Sequence, residues 1–244
     1  MKNKQILLLL FLFLSIQSSA KKEVILFNLK LGFLKGGEAE MTISDTVFNG
    51  TPAIFYRIHG RTTGLANTLY AVNDIYETTV DANTHLPLKA IRNIKEQKYR
   101  WYNETLFYHD IDSLNSQRTG WRKMPDNMVD LISSFFYYVN QKKIEELPPG
   151  NEFKLSMFHA DKIDTVTVKY LGANSIDTDL GTIDTYVLAP VVDKGKLFKR
   201  SDGLRFYFSK EKKVPVLLEF EMKVGALRAV LKSYKIDGIE QVTD

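Results

Sequence analysis

The 244-residue sequence contains no cysteine. That excludes a disulfide framework, so burial of apolar side chains must hold the fold in any redox compartment. It removes the thiolate as a nucleophile, and it excludes a lipid anchor attached to a cysteine at a cleavage site. Histidine is scarce as well. The four, His59, His85, His109 and His159, are far apart, and no pair has the three- or four-residue spacing that puts two imidazoles on one helix face for zinc. Excess charge of one sign is missing too. Setting aside Lys2 and Lys4 leaves 31 basic residues against 29 acidic ones, interspersed rather than striped, which argues against nucleic acid as a partner.

Long apolar runs are reduced to one. Residues 7–14 read LLLLFLFL, with Lys2 and Lys4 before them and SIQSSA after. This is the pattern of a secretory signal peptide over residues 1–20, with Ser18 and Ala20 at the small-residue positions before cleavage. The run is too short for a membrane span of roughly 20 residues. The expected mature chain, a single β-rich domain over residues 21–244, has no transmembrane helix and works in the periplasm, or outside the cell.

What fills that domain is mainly a period of two. Ile25, Phe27, Leu29, Leu31 and Phe33 share one face of an extended strand, and Ala39, Met41 and Ile43 continue the alternation. The intervening Lys35-Gly36-Gly37 reads as a hairpin turn, and Asn49-Gly50 as a second turn before a strand at Ala53–His59. Further strands are expected at 70–80, 88–94, 98–101, 105–109, 165–170, 182–189, 204–209, 216–224 and 227–234. Asp81-Ala82-Asn83, 112–116 and 210–213 read as turns, with Pro215 at a strand start. One stretch differs. From Asp126 to Leu147, Met128, Leu131, Ile132, Phe135, Phe136 and Val139 recur at helical spacing, with Asp126 as N-cap and Pro148-Pro149-Gly150 as the stop. The predicted architecture is mainly β: a curved antiparallel sheet or half-barrel with one main helix packed against it.

Several segments carry a resemblance. GFLKGGEAEM (residues 32–41), LYAVNDIYETTVD (69–81) with Pro87 after it, VDLISSFFYYV (129–139), LGTIDTYVLAP (180–190) and VPVLLEFEMKVGALRAVL (214–231) fall in an order similar to that of the exported bacterial family called domain of unknown function 3108. The resemblance spans nearly the whole mature chain. It implies an exported β-rich fold, with architecture similar to periplasmic lipoprotein carriers, and brings no catalytic residue or cofactor with it.

The chemistry-bearing motifs are thin. No Gly-x-Ser-x-Gly elbow occurs. Asp110-Ile111-Asp112 and Asp177-Thr178-Asp179 do not complete a calcium loop: Leu114 stands where the first would need a third ligand, and both lack the downstream bidentate Glu. No metal or cofactor is expected. Asp45-Thr46-Val47, Asp112-Ser113-Leu114 and Asp164-Thr165-Val166 match the Asp-Ser/Thr-apolar acceptor of periplasmic O-glycosylation. Aromatic density is the more informative feature. Tyr99 and Trp101 share one strand face near Arg100, Tyr102, Phe107 and His109, and Phe135-Phe136-Tyr137-Tyr138 makes the helix apolar nearly all round.

These residues support three readings. The first is a non-enzymatic envelope protein that binds a lipid or other hydrophobic ligand, with Tyr99, Trp101, Phe135, Phe136 and Tyr138 as lining residues and a cavity above about 300 Å³. The second is an assembly factor that contacts another envelope protein through an exposed apolar patch. The third is a carbohydrate-active enzyme with acids converging in a cleft.

Overall fold

The computed structural model describes residues 20–141, 144–191, 201–223 and 225–241. Apart from Ala20, the expected leader lies outside them. The first half of the chain is a meander of eight strands: β1 (Lys22–Leu31), β2 (Leu34–Phe48), β3 (Thr51–Thr62), β4 (Asn73–Asp81), β5 (Pro87–Glu96), β6 (Tyr99–Tyr108), β7 (Ser113–Ser116) and β8 (Gly120–Lys123), with a short helix α1 (Gly64–Leu69) between β3 and β4. Helix α2 (Leu131–Gln141) follows. A second meander then runs through β9 (Glu152–His159), β10 (Lys162–Thr178), β11 (Gly181–Pro190), β12 (Leu204–Ser209), β13 (Pro215–Met222) and β14 (Gly225–Ile236), with a short β15 (Ile239–Glu240) paired to β14.

The two meanders join where β1 pairs with β14, so all strands belong to one antiparallel sheet that runs from β8 at one edge to β9 at the other. The chain crosses from edge to edge through α2, and the sheet curls around that helix. Burial shows why. Ile132, Phe136 and Val139 of α2 share one apolar cluster with Ile25 and Phe27 of β1, Met41 of β2, Tyr56 of β3 and Phe206 and Phe208 of β12. Phe136 stacks on Tyr56 with ring centroids 4.2 Å apart. Removing a side chain packed like this from a core costs about 3–5 kcal/mol. Curvature brings β8 and β9 near each other without a ladder between them. Among the described residues one isolated bridge, Val129 to Met157, and side-chain contacts span the gap.

Several expected elements sit differently. The β1–β2 turn is at Gly32-Phe33 rather than Lys35-Gly36-Gly37. Leu29 pairs with Gly37 and Lys30 with Lys35, which leaves Gly36 as the extra residue of a bulge. Gly37 is required by close approach: a Cβ there would lie 2.5 Å from the carbonyl oxygen of Arg61. The segments 98–101 and 105–109 are one strand, β6, and most of the expected turn 112–116 is β7. Helix α2 begins at Leu131, because Asp130 and not Asp126 caps it. The Asp130 carboxylate accepts from the backbone N–H of Ile132 and Ser133, and the Asp130 N–H donates to Ser133 Oγ. This reciprocal pairing satisfies amides that no intrahelical carbonyl reaches. The expected helix C-terminal to Gln141 gives way to a 3-10 turn at Ile144–Glu146.

Candidate functional site

The curl of the sheet leaves an apolar cleft of about 240 Å³ between the first turns of α2 and strands β9–β12. Leu131 and Phe135 form the helix side; Leu155, Met157, Val166 and Phe206 form much of the opposite wall. Phe135 meets Phe206 edge-on at 4.5 Å between centroids. Among the described residues the one hydroxyl at the wall, Ser134 Oγ, donates back to the carbonyl of Leu131 at 2.7 Å. A surface of this kind gains by covering apolar area and carries no unmet hydrogen bond of its own.

A second, smaller hollow of about 40 Å³ adjoins it at the gap between the sheet edges. Leu131 lines both spaces. The smaller one is of mixed character: Arg92 of β5, Asn103 and Thr105 of β6, Asp130, and His159 of β9 contribute polar groups among apolar ones such as Trp101 and Phe158. Arg92 lies over Trp101 at 4.5 Å and over Tyr76 at 5.8 Å, and Arg118 lies 5.1 Å from the same Trp101 ring. Burial pushes the Asp130 carboxyl above the usual aspartate range, against the hydrogen bonds donated by Ser133 and Thr78. Burial, then the neighbouring Arg92 cation, hold the His159 imidazole below its ordinary value. Among the described residues no three His, Asp or Glu side chains gather as a metal site.

The five sequence-predicted lining residues do not share one cavity. Phe135 lines the apolar cleft and Trp101 the smaller hollow. Phe136 faces the core, Tyr138 stacks on Phe153 at 4.1 Å, and Tyr99 is exposed. The apolar wall from β9 and the arginine of β5 were missed. Their signals are nevertheless present. Phe153, Leu155 and Met157 alternate with Lys154 and Ser156, and Arg92 stands on the inward parity between Ala90 and Ile94. Of the three Asp-Ser/Thr-apolar triplets, Thr46 and Thr165 are exposed, while Ser113 is buried with its hydroxyl on the carbonyl of Ile111.

An open, strongly curved antiparallel sheet wrapped around one helix places the chain among β-barrel-like proteins. It belongs to the family of proteins of unknown function DUF3108, whose model matches residues 26–232. No curated protein sequence matches it. Among solved structures it is similar to a β-barrel-like protein of domain of unknown function DUF1849 from Brucella abortus, at a TM-score of 0.57 and 10% identity over 89% of this chain and 98% of that one. A DUF1089 family protein from Pseudomonas aeruginosa aligns at a TM-score of 0.30 and 9% identity, over 82% of this chain and 85% of that one, a likeness that carries no argument.

Proposed function

We propose that this chain is a non-enzymatic, exported envelope protein that receives the apolar part of a lipid or other hydrophobic ligand in the cleft between α2 and β9–β12. The observation that carries this reading is the composition of the cleft wall. Aliphatic and aromatic side chains form it, and its single hydroxyl is already satisfied. At about 240 Å³ the space falls short of the cavity above about 300 Å³ expected from the sequence, and it suits one slender chain better than a bulky ring system. Export rests on the leader pattern of residues 1–20. Native mass spectrometry of protein purified from its own periplasm, with solvent extraction, tests the reading. A stoichiometric hydrophobe supports it; an apo mass that stays unshifted in a lipid mixture overturns it.

A second reading, a protein-interaction factor, is favoured by one feature. The start of β2, just after the β1–β2 turn, lies beside α1, the N–H of Thr63 donating to the carbonyl of Gly36. Together they leave Phe33 91%, Leu65 83%, Leu69 80% and Leu34 61% exposed. Exposed apolar side chains clustered at one end of a sheet mark contact surfaces. Replacing Phe33 and Leu65 together by Ser tests this reading: loss of a defined cross-linked envelope partner, with ligand content unchanged, supports it, and an unchanged cross-linking pattern overturns it.

A further inference from the structure

Four connections meet at one end of the sheet: the β1–β2 turn, helix α1, the β5–β6 turn and the β13–β14 turn. Backbone bonds tie them to one another. The N–H of Gly32 donates to the carbonyl of Ala226, that of Thr63 to Gly36 and that of Gln97 to Ala71, while Gln97 Nε2 donates to the carbonyl of Leu69. Phe33 and Leu34 project from the first turn. Leu65 and Leu69, four residues apart, share one face of α1, a helix that buries no residue. All four are exposed, as are Tyr70 after α1 and Tyr99 at the start of β6.

The same end is basic. Residues 30–38, 61–74, 95–100 and 221–227 hold seven Lys and Arg against four Asp and Glu, a net +3, whereas 31 basic and 29 acidic residues give only +2 for the whole of 21–244. The four acids are engaged. Glu38 accepts from Lys35 and Arg61, Glu96 from the Tyr70 hydroxyl and Asp74 from the amide of Lys95, and Glu221 pairs with Arg205. The apolar cleft reaches this end too. One cross-strand row runs Leu204, Phe220, Leu227, Leu31, Leu34, and its first member lines the cleft beside Pro190 and Val191.

We propose that this end of the protein seats on an anionic lipid bilayer, with Phe33, Leu34, Leu65 and Leu69 in the head-group region and the surrounding cations on lipid phosphates. A protein partner needs a fitted pocket for each projecting side chain. A bilayer closes around convex tips without one, and a set of apolar tips with interfacial tyrosines and excess cations is the composition such a surface attracts. The assignment goes beyond the cleft reading and does not depend on it, although docking brings the Leu204 side of the cleft toward the lipid.

Flotation of the full mature chain with vesicles of phosphatidylglycerol and phosphatidylethanolamine, and with vesicles of phosphatidylcholine alone, tests the assignment. Affinity for the anionic vesicles is expected to be about tenfold higher at low salt, and that advantage should vanish near about 0.5 M salt. F33S/L65S/L69S should lower anionic binding about tenfold or more, and K98Q/K223Q about tenfold. V47S, an exposed apolar position near the β2–β3 turn at the opposite end, should leave it within about twofold. Thermal melting shows whether each variant is folded, and a blue shift of F33W emission on vesicle addition reports insertion without the triple variant. Absence of flotation with either vesicle overturns the proposal, and so does binding that survives F33S/L65S/L69S in full. Equal binding to both vesicles overturns the anionic assignment. Indifference to vesicles together with a cross-linked partner lost in F33S/L65S/L69S gives the patch to a protein and overturns the proposal. Anion-dependent flotation by a protein whose cleft takes up no hydrophobe supports it while the cleft reading fails alone.

Discussion

Asn103 of β6 donates through Nδ2 to Asp161 Oδ1 at 3.0 Å, across the gap between the two edges of the sheet. The two residues are 58 positions apart, and no strand ladder joins their neighbourhoods. With Arg118 and Arg122 on the same residue, Asp161 fastens a seam that backbone pairing leaves open. D161N keeps the shape and the tolerance for the positive φ of 64° found here, but removes the charge. It is expected to cost about 1 kcal/mol and to lower Tm by about 2–4 °C. Hydrogen exchange should quicken first in β8 and β9, and scanning calorimetry with exchange mass spectrometry checks both outcomes.

Thr78 ties α2 to the sheet, its hydroxyl donating to Asp130 at 2.6 Å in a fully enclosed position. T78V fills the same volume and leaves the buried carboxylate one donor short, at about 1–3 kcal/mol. D130A should cost more, because the helix cap is lost as well. Urea unfolding followed by circular dichroism measures both changes.

Gly37 and Gly60 lie in adjacent strands and should respond oppositely. A Cβ at Gly37 meets the Arg61 carbonyl, while one at Gly60 has no heavy atom within 4 Å. G37A is expected to destabilise by more than about 2 kcal/mol, and G60A to stay within about 0.5 kcal/mol of the parent. Paired denaturation curves decide the matter.

His159 makes stability depend on pH. Its folded-state value lies below that of the unfolded chain, through burial and the Arg92 cation, with Asp164 opposing. As pH falls through about 6.5 the unfolded chain takes up the proton first, so stability present above that pH is lost toward the lower folded-state value. H159Q should shrink the fall in Tm between pH 7.5 and 5.5 by about 1–2 °C.

How much of this was legible depended on whether a signal was local. The parity of Ile25, Phe27 and Leu29 on β1, the limits of β12, and the stripe Ile132, Phe135, Phe136 and Val139 on α2 are short-range patterns, and each folds as its spacing predicts. Six-residue α1 contributes no buried side chain, so nothing periodic marked it. β8, read as GWRK, is a four-residue edge strand too brief to alternate visibly. The cleft was only half legible. Phe135 belongs to a helix stripe, but its partner Phe206 comes 71 positions later and reaches it through pairing of β9 to β12 rather than any local pattern. Arg92 carried a local sign, a cation on a core-facing parity. What balances it is decided by tertiary approach.

The pairing of β1 with β14 has a consequence for how the chain is made. Ile25 waits for Tyr234 and Leu29 for Ala229, so β1 meets one of its two neighbours only after the intervening strands have been synthesised. Until then β1 presents a bare edge with Ile25 and Phe27 uncovered, which invites pairing with any other extended chain. Such long-range closure makes folding slow, and the first meander is left as the aggregation-prone half of the molecule until β14 covers the edge of β1.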